Sequence, residues 1–339
     1  MIRVENLTKE FGEIKAVDGL SFEVNEGEIL GFLGPNGAGK TTTMRILTCF
    51  FPPTAGRASI AGFDVLTDSH EVRRRIGYMP EGVPLYRELT VISALDFIAQ
   101  AKGFKRAQRA KYIDMAIDET GLGGMRNRIV GHLSKGYRQR MGLAQAILGE
   151  PKVLILDEPT VGLDPRQISE VRAMIRGMAG RRTVILSTHI LPEVQMTCSR
   201  VLIINNGRIA ASGTTEKLTT QMRSGSRSAA LIAGPPASVL AALRSIERII
   251  SVEAKHDGVK SVSQQSTSFD VTEYMIRTTG SAAEIHPRIA EVIVGQGWKL
   301  IELRHVGLSL EEIFLKIVAG EPPQNGAADS GQEEAGNVA

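Results

Sequence analysis

Gly34-Pro35-Asn36-Gly37-Ala38-Gly39-Lys40-Thr41 has the spacing Gly-x-x-x-x-Gly-Lys-[Ser/Thr], and the flanking sequence gives that pattern its meaning. It follows the apolar run Ile29-Leu30-Gly31-Phe32-Leu33, which reads as a central strand buried on both faces. It also opens a helix expected over 41–50. Glycines let successive backbone N–H groups turn inward around a phosphate, and the helix N-terminus adds the positive end of its dipole. Lys40 supplies a mobile cation for β- and γ-phosphates, and the Thr41 hydroxyl suits a Mg²⁺ ion. A plain Gly-rich turn would need neither the strand before it nor the helix after it.

Val153-Leu154-Ile155-Leu156-Asp157-Glu158 is an apolar strand tipped by two carboxylates. An Asp at the C-terminal end of a central strand, beside a phosphate loop, suits a Mg²⁺ partner. Glu158, one residue on, is placed to polarise an attacking water. Alone the pair is a weak signal, because strand ends often carry solvated acids. Leu133-Ser134-Lys135-Gly136-Tyr137-Arg138-Gln139-Arg140 begins another helix with Ser134 as N-cap, a second candidate anion site. By itself it would be an ordinary capped helix. His189 follows the apolar strand Thr183-Val184-Ile185-Leu186-Ser187 and takes its weight from this company alone.

β-branched runs alternate with helical patterns through about residue 215, which predicts an α/β domain around a mostly parallel sheet. Asn205-Asn206-Gly207 joins two apolar runs as a β-hairpin turn. Residues 219–228, rich in Thr, Ser, Gly and Arg, read as a linker. Beyond it come a strand over 229–232, a helix over 237–249, strands over 250–254 and 271–277, a helix over 282–294 carrying Pro287, and a strand over 299–304. The order β-α-β-β-α-β predicts a smaller ferredoxin-like α+β domain. Ser309-Leu310-Glu311-Glu312 is a capping box for a closing helix over 309–318. The acidic, Gly- and Pro-rich tail over 319–339 is expected to be disordered. The expected domains are therefore 1–218, a linker over 219–228, and 229–318.

With 42% hydrophobic residues, the 339-residue chain is able to bury two cores. Forty basic against 37 acidic side chains leave a net charge of +3, which argues against a dedicated nucleic-acid binder. Cys49 and Cys198 are too few for a disulfide framework and read as reduced thiols. The N-terminus reaches Arg3 at once and does not read as a signal peptide. The longest uncharged stretch, 228–242, is too short for the ~20 residues of a membrane span and is interrupted by Pro235-Pro236. The chain thus reads as soluble, docking on another protein if it works at a membrane.

Taken together, these motifs make residues 1–216 resemble the ATPase subunit of an ABC transporter. The resemblance implies a P-loop ABC-type fold with a helical subdomain, and ATP and Mg²⁺ as cofactors. It places Phe11 as the aromatic that stacks on adenine and residues 34–42, ending in Thr42, as the Walker A phosphate loop. Glu81, in Gly77-Tyr78-Met79-Pro80-Glu81, stands where the family has its Q-loop glutamine, with an oxygen for Mg²⁺ or the water. Leu133 to Gln139 is similar to the signature motif, with Ser134 and Gly136 facing phosphate. Asp157 and Glu158 match the Walker B pair, Gly162-Leu163-Asp164 the D-loop, and His189 the switch histidine. The signature departs from the commonest Leu-Ser-Gly-Gly-Gln by carrying Lys135 and Tyr137, and Glu81 adds a negative charge. These departures, with Leu308-Ser309-Leu310-Glu311-Glu312-Ile313-Phe314, resemble the drug-resistance and gliding-motility exporter branch.

The resemblance implies that each ATP is bound by one subunit's phosphate loop and capped by another's signature helix. One chain then carries two half-sites and pairs head to tail with a second copy or a paralogue. A separate polytopic permease would hold the pair at the cytoplasmic face of the cell membrane. Residues 89–117 are the expected docking face; their cations Lys102, Lys105, Arg106, Arg109 and Lys111 read first as a solvated helical face and second as a contact for lipid headgroups. The alternative is a soluble ABC ATPase acting on nucleic acid or the ribosome, disfavoured by the single cassette and the lack of a Cys cluster or heptad run. For the C-terminal module, assembly or partner contact stands against packing needed for folding, with a small-effector pocket as a third reading.

Overall fold

The computed structural model describes residues 1–215, 217–218, 226–255, 271–279, 282–306, 312 and 314–315. The chain divides into two units, Met1–Glu216 and Lys217–Ala339. In the first, β1 (Ile2–Phe11), β2 (Ile14–Val24), β4 (Ala55–Ile60) and β5 (Phe63–Asp64) form an antiparallel sheet in the order β2-β1-β4-β5. The second sheet has the order β10-β9-β3-β8-β7-β6, from β3 (Ile29–Leu33), β6 (Ile76–Met79), β7 (Val153–Asp157), β8 (Thr183–Thr188), β9 (Arg200–Asn205) and β10 (Arg208–Gly213). All its pairings are parallel except the β9–β10 hairpin, whose turn holds Asn206 and Gly207 at positive φ.

Every residue of β3, β7 and β8 is buried, as expected of strands covered on both sides. Side chains alternate between two cores. Val153 and Ile155 pack with Met44 and Leu47 of α1 (Lys40–Leu47) and with the antiparallel sheet. Leu154 and Leu156 pack with α3 (Val91–Ala101), α4 (Arg106–Glu119), α5 (Lys135–Ile147) and α6 (Pro165–Arg176). α2 (Ser69–Arg75) precedes β6, and α7 (Leu191–Thr197) follows β8. The central sheet thus has α1 and the antiparallel sheet on one face and a helical layer on the other.

Two helices of the first unit differ from the sequence-based expectation. The helix expected over 41–50 stops at Leu47, because Cys49 turns to φ 59 and cannot continue it. The helical stretch over 89–117 is two helices, α3 and α4, separated at Gly103, whose φ of 81 is outside the helical region.

The second unit has β11 (Ser226–Ala233), α8 (Pro236–Arg244), β12 (Ile249–Lys255), β13 (Val271–Thr278), α9 (Ala282–Gly295) and β14 (Lys299–Val306). Its antiparallel sheet runs β12-β13-β11-β14, the ferredoxin-like order. Ala230, Ile232, Tyr274 and Ile276 face Val239, Leu243, Ile285, Ile289 and Ile293 in a separate core. Its first strand begins at Ser226, inside the expected linker, because Ser226 already pairs with Thr278. The helix expected to run to Ile249 ends at Arg244, since Ile246 turns back into the core and Ile249 starts β12. Pro287 lies within α9 without ending it. Most of the expected closing helix lies outside the described residues, although Arg227 Nη1 pairs with Glu312 at 2.6 Å. The tail over 319–339 also lies outside them. Among the described residues no helix is long and apolar enough to cross a membrane.

Candidate functional site

The turn from β3 into α1 walls a cleft of about 440 Å³, lined by Pro35, Asn36, Gly37, Ala38, Gly39, Lys40, Thr41 and Thr42. Ala16, Glu81, Glu158, Val161 and His189 complete the wall. Gly39 adopts φ 102 and lies so close to β2 that a Cβ there would sit 2.5 Å from the Ala16 carbonyl oxygen. Only glycine fits both constraints. Gly39 is the N-cap of α1 and makes no side-chain cap, which leaves the first-turn N–H groups for an anion. Gly34 is buried behind this wall, and its carbonyl accepts from Lys40 Nζ at 2.7 Å.

Lys40 is 6% exposed; its ammonium also reaches the Pro35 carbonyl at 3.2 Å and Glu158 Oε1 at 3.6 Å. Glu158 is 5% exposed and held at φ 51, a left-handed conformation uncommon for a side chain of this size. Its other oxygen lies 2.9 Å from His189 Nδ1. The phosphate-loop lysine, the water-polarising acid and the switch histidine predicted from sequence therefore form one chain of contacts. Strained backbone at such a place is typical of a functional residue held by its surroundings.

Asp157 lies fully buried directly before Glu158. The Ser187 hydroxyl donates to its Oδ1, while Oδ2 is buried with no hydrogen-bond partner. An orphaned buried carboxylate oxygen is costly unless a cation completes it, so this residue fits a Mg²⁺ ion. Burial, and secondarily the Asp157 charge, push the Tyr78 phenol above its usual range. Among the described residues no group of three or more His, Cys, Asp or Glu is gathered to hold a metal.

Ser134, Gly136 and Asp164 line a different cleft of about 350 Å³, together with Tyr137, Arg140, Arg166, Gln167 and Glu170. Ser134 caps α5, its hydroxyl accepting from the Tyr137 N–H at 3.4 Å. Asp164 caps α6, accepting from the Gln167 N–H at 2.9 Å. The two clefts share no lining residue. Phe11 lines neither; it is 43% exposed at the end of β1, edge-on to Phe51 at 5.5 Å and under Lys9 Nζ at 5.1 Å. Ala16 and Val161 were invisible to sequence reasoning, because small apolar residues carry no motif signal.

A family model described as "ABC transporter" matches residues 17–161. The bacitracin transport ATP-binding protein of Bacillus licheniformis is 32% identical over 327 residues, spanning 94% of this chain and 98% of that protein. The chain belongs to the ABC transporter ATP-binding family. The daunorubicin/doxorubicin resistance ATP-binding protein of Streptomyces peucetius is 30% identical, covering 98% of this chain and 96% of its own. These ABC ATPase relatives match the exporter branch that the signature variant suggested, and they favour the transporter reading over the nucleic-acid or ribosome alternative. Among solved structures, the dimeric structure of MJ0796, a bacterial ABC transporter cassette, aligns with TM-score 0.58 and 25% identity. It covers 63% of this chain and 98% of that cassette. This chain is thus the ATP-binding, ATP-hydrolysing subunit of an exporter-type ABC transporter.

Proposed function

We propose that the chain hydrolyses ATP in a head-to-tail pair, with a second copy or a paralogue, to drive export through a separate polytopic permease. The observation that carries the pairing is the separation of the two clefts: the phosphate loop with Glu158 and His189 lines one, and Ser134, Gly136 and Asp164 line the other. A capping serine and a helix N-terminus that line a cleft apart from their own phosphate loop suit the nucleotide of a neighbour. Lys40 and the N–H groups of residues 36–41 hold the β- and γ-phosphates, with Phe11 against the adenine. Glu158 accepts a proton from the attacking water, and His189 holds Glu158 in place. Thr41, Asp157 and Glu81 are the residues proposed to hold Mg²⁺. When bound, that ion neutralises charge on the phosphate oxygens. Lys40 must release the Gly34 and Pro35 carbonyls and Glu158 to meet a phosphate, so binding frees Glu158 for the water.

Residues 1–218 are proposed as the nucleotide-binding domain and 229–318 as an accessory domain serving assembly. The permease would dock on α3 and α4, where exposed Phe97 stacks edge-on to exposed Tyr86 at 4.8 Å. Through the permease the pair would sit on the inner face of the cell membrane. A mixing experiment tests the pairing. Lys40→Ala and Ser134→Arg chains, each inactive alone, should regain ATPase activity when combined, because one intact composite site forms per mixed pair. No recovery in mixtures shown to form mixed dimers overturns it.

A further inference from the structure

Glu193 belongs to none of the motifs above, yet it is 1% exposed at the start of α7. A carboxylate taken this far out of water needs partners for both oxygens. Thr160, itself 2% exposed, donates its hydroxyl to Oε1. Thr188, fully buried, donates to Oε2 at 2.8 Å. Arg172 Nη2, on α6, lies 3.8 Å from Oε1 and brings a countercharge.

These partners are not scattered. Thr160 sits two residues after Glu158, in the turn where Val161 N–H donates to the Glu158 carbonyl at 3.2 Å. Thr188 precedes His189, and its hydroxyl, having donated to Glu193, accepts the Ile190 N–H at 3.0 Å. Arg172 lies on the helix that Asp164 caps. One carboxylate therefore fastens the turn bearing Glu158, the loop bearing His189 and the helix behind Asp164.

We propose that Glu193 is a positioning residue for hydrolysis, clamping Glu158 and His189 into register through Thr160 and Thr188. The need for it follows from Glu158, whose φ of 51 is not a conformation the isolated chain prefers. Without the clamp, the turn relaxes and the 2.9 Å contact to His189 Nδ1 opens. Two hydroxyl protons converge on the site, so it calls for two acceptor oxygens. A carboxylate supplies them, whereas an amide offers one and places an NH₂ against the other hydroxyl. The inference rests on the roles proposed above for Glu158 and His189.

Substitutions at the two threonines test it in the full chain. Thr160→Val and Thr188→Val keep the shape and remove the proton; Thr160→Ser and Thr188→Ser keep the proton. The valine variants should lose about tenfold to a hundredfold in kcat, the scale of a small misplacement of a reacting group. ATP affinity should stay within about twofold, since Lys40 and the loop N–H groups are untouched. The serine variants should return kcat close to that of the parent. Glu193→Gln, with one acceptor left, should fall between parent and valine variants. Wild-type kcat in both valine variants overturns the inference, and so do serine variants as impaired as valine ones, which would mark packing as the cause. A loss of affinity in step with kcat overturns it too. Glu158→Gln measured in parallel separates the two levels: if it turns over normally, the proposed role of Glu158 fails. If it is inactive while the valine variants are not, only the clamp fails.

Discussion

Replacing Glu158 by Gln removes one charge from a crowded site and leaves its shape intact. In the nucleotide-free chain the carboxylate is 3.6 Å from Lys40 Nζ. At an effective dielectric of ~20, that pair attracts by about 5 kcal/mol. ATP binding breaks this contact in the parent, whereas the amide has no such attraction to give up. The parent carboxylate would also repel the γ-phosphate, by roughly 3 kcal/mol at a separation of ~6 Å in the same dielectric, reduced by Mg²⁺ and salt. Both effects favour ATP binding by the amide; after screening by water, Mg²⁺ and salt, a net gain of at least about 1–2 kcal/mol corresponds to ATP binding about tenfold tighter or more. Turnover moves the other way: losing a general base costs at least about a hundredfold in kcat. Hydrolysis would be followed by phosphate release, affinity by a fluorescent nucleotide, and pairing by sedimentation with ATP, where a stable dimer is expected. ATP bound more weakly than by the parent, or hydrolysed at the parent rate, refutes the electrostatic reasoning.

A chain ending at Glu216 retains every residue of both clefts, so it should bind ATP with parent affinity. Its dimer should be weaker or its docking on the permease impaired, and an insoluble product would assign the second unit to folding instead. The Lys102 residue as a whole is exposed, but its ammonium tucks against the end of α5, donating to the Leu148 carbonyl at 3.1 Å, and desolvation there lowers its pKa to about 8 from 10.5. The folded chain then gives up this proton before the unfolded chain does. Between pH 8 and 10.5 the unfolded state binds more protons, so the Lys102 contribution to stability rises with pH. The Tm of the parent minus that of Lys102→Met should climb across this window, and a flat difference refutes the shift.

Local spacing was enough to place the glycine-rich turn before α1, the carboxylate pair, the Ser134 cap and the order of elements in the second unit. Each lies within one strand, one turn or one helix, where residue type and short-range geometry decide. Helix ends were less legible, because the turns at Cys49 and Gly103 depend on φ values that few residues advertise. The contacts between motifs were beyond the sequence altogether. Asp157 meets Ser187, and β3 brings Leu33 beside Thr188, only because β7, β8 and β3 pair in parallel in one register. That register is set by apolar side chains filling cores on both faces of the sheet. Glu193 shows the limit best: its sequence neighbours suggest a solvated acid on a short helix. Only the packed sheet brings Thr160 and Thr188 to its two oxygens. Chemistry written in short motifs is read from the chain, whereas the clamp that aligns those motifs arises when distant strands exclude water together.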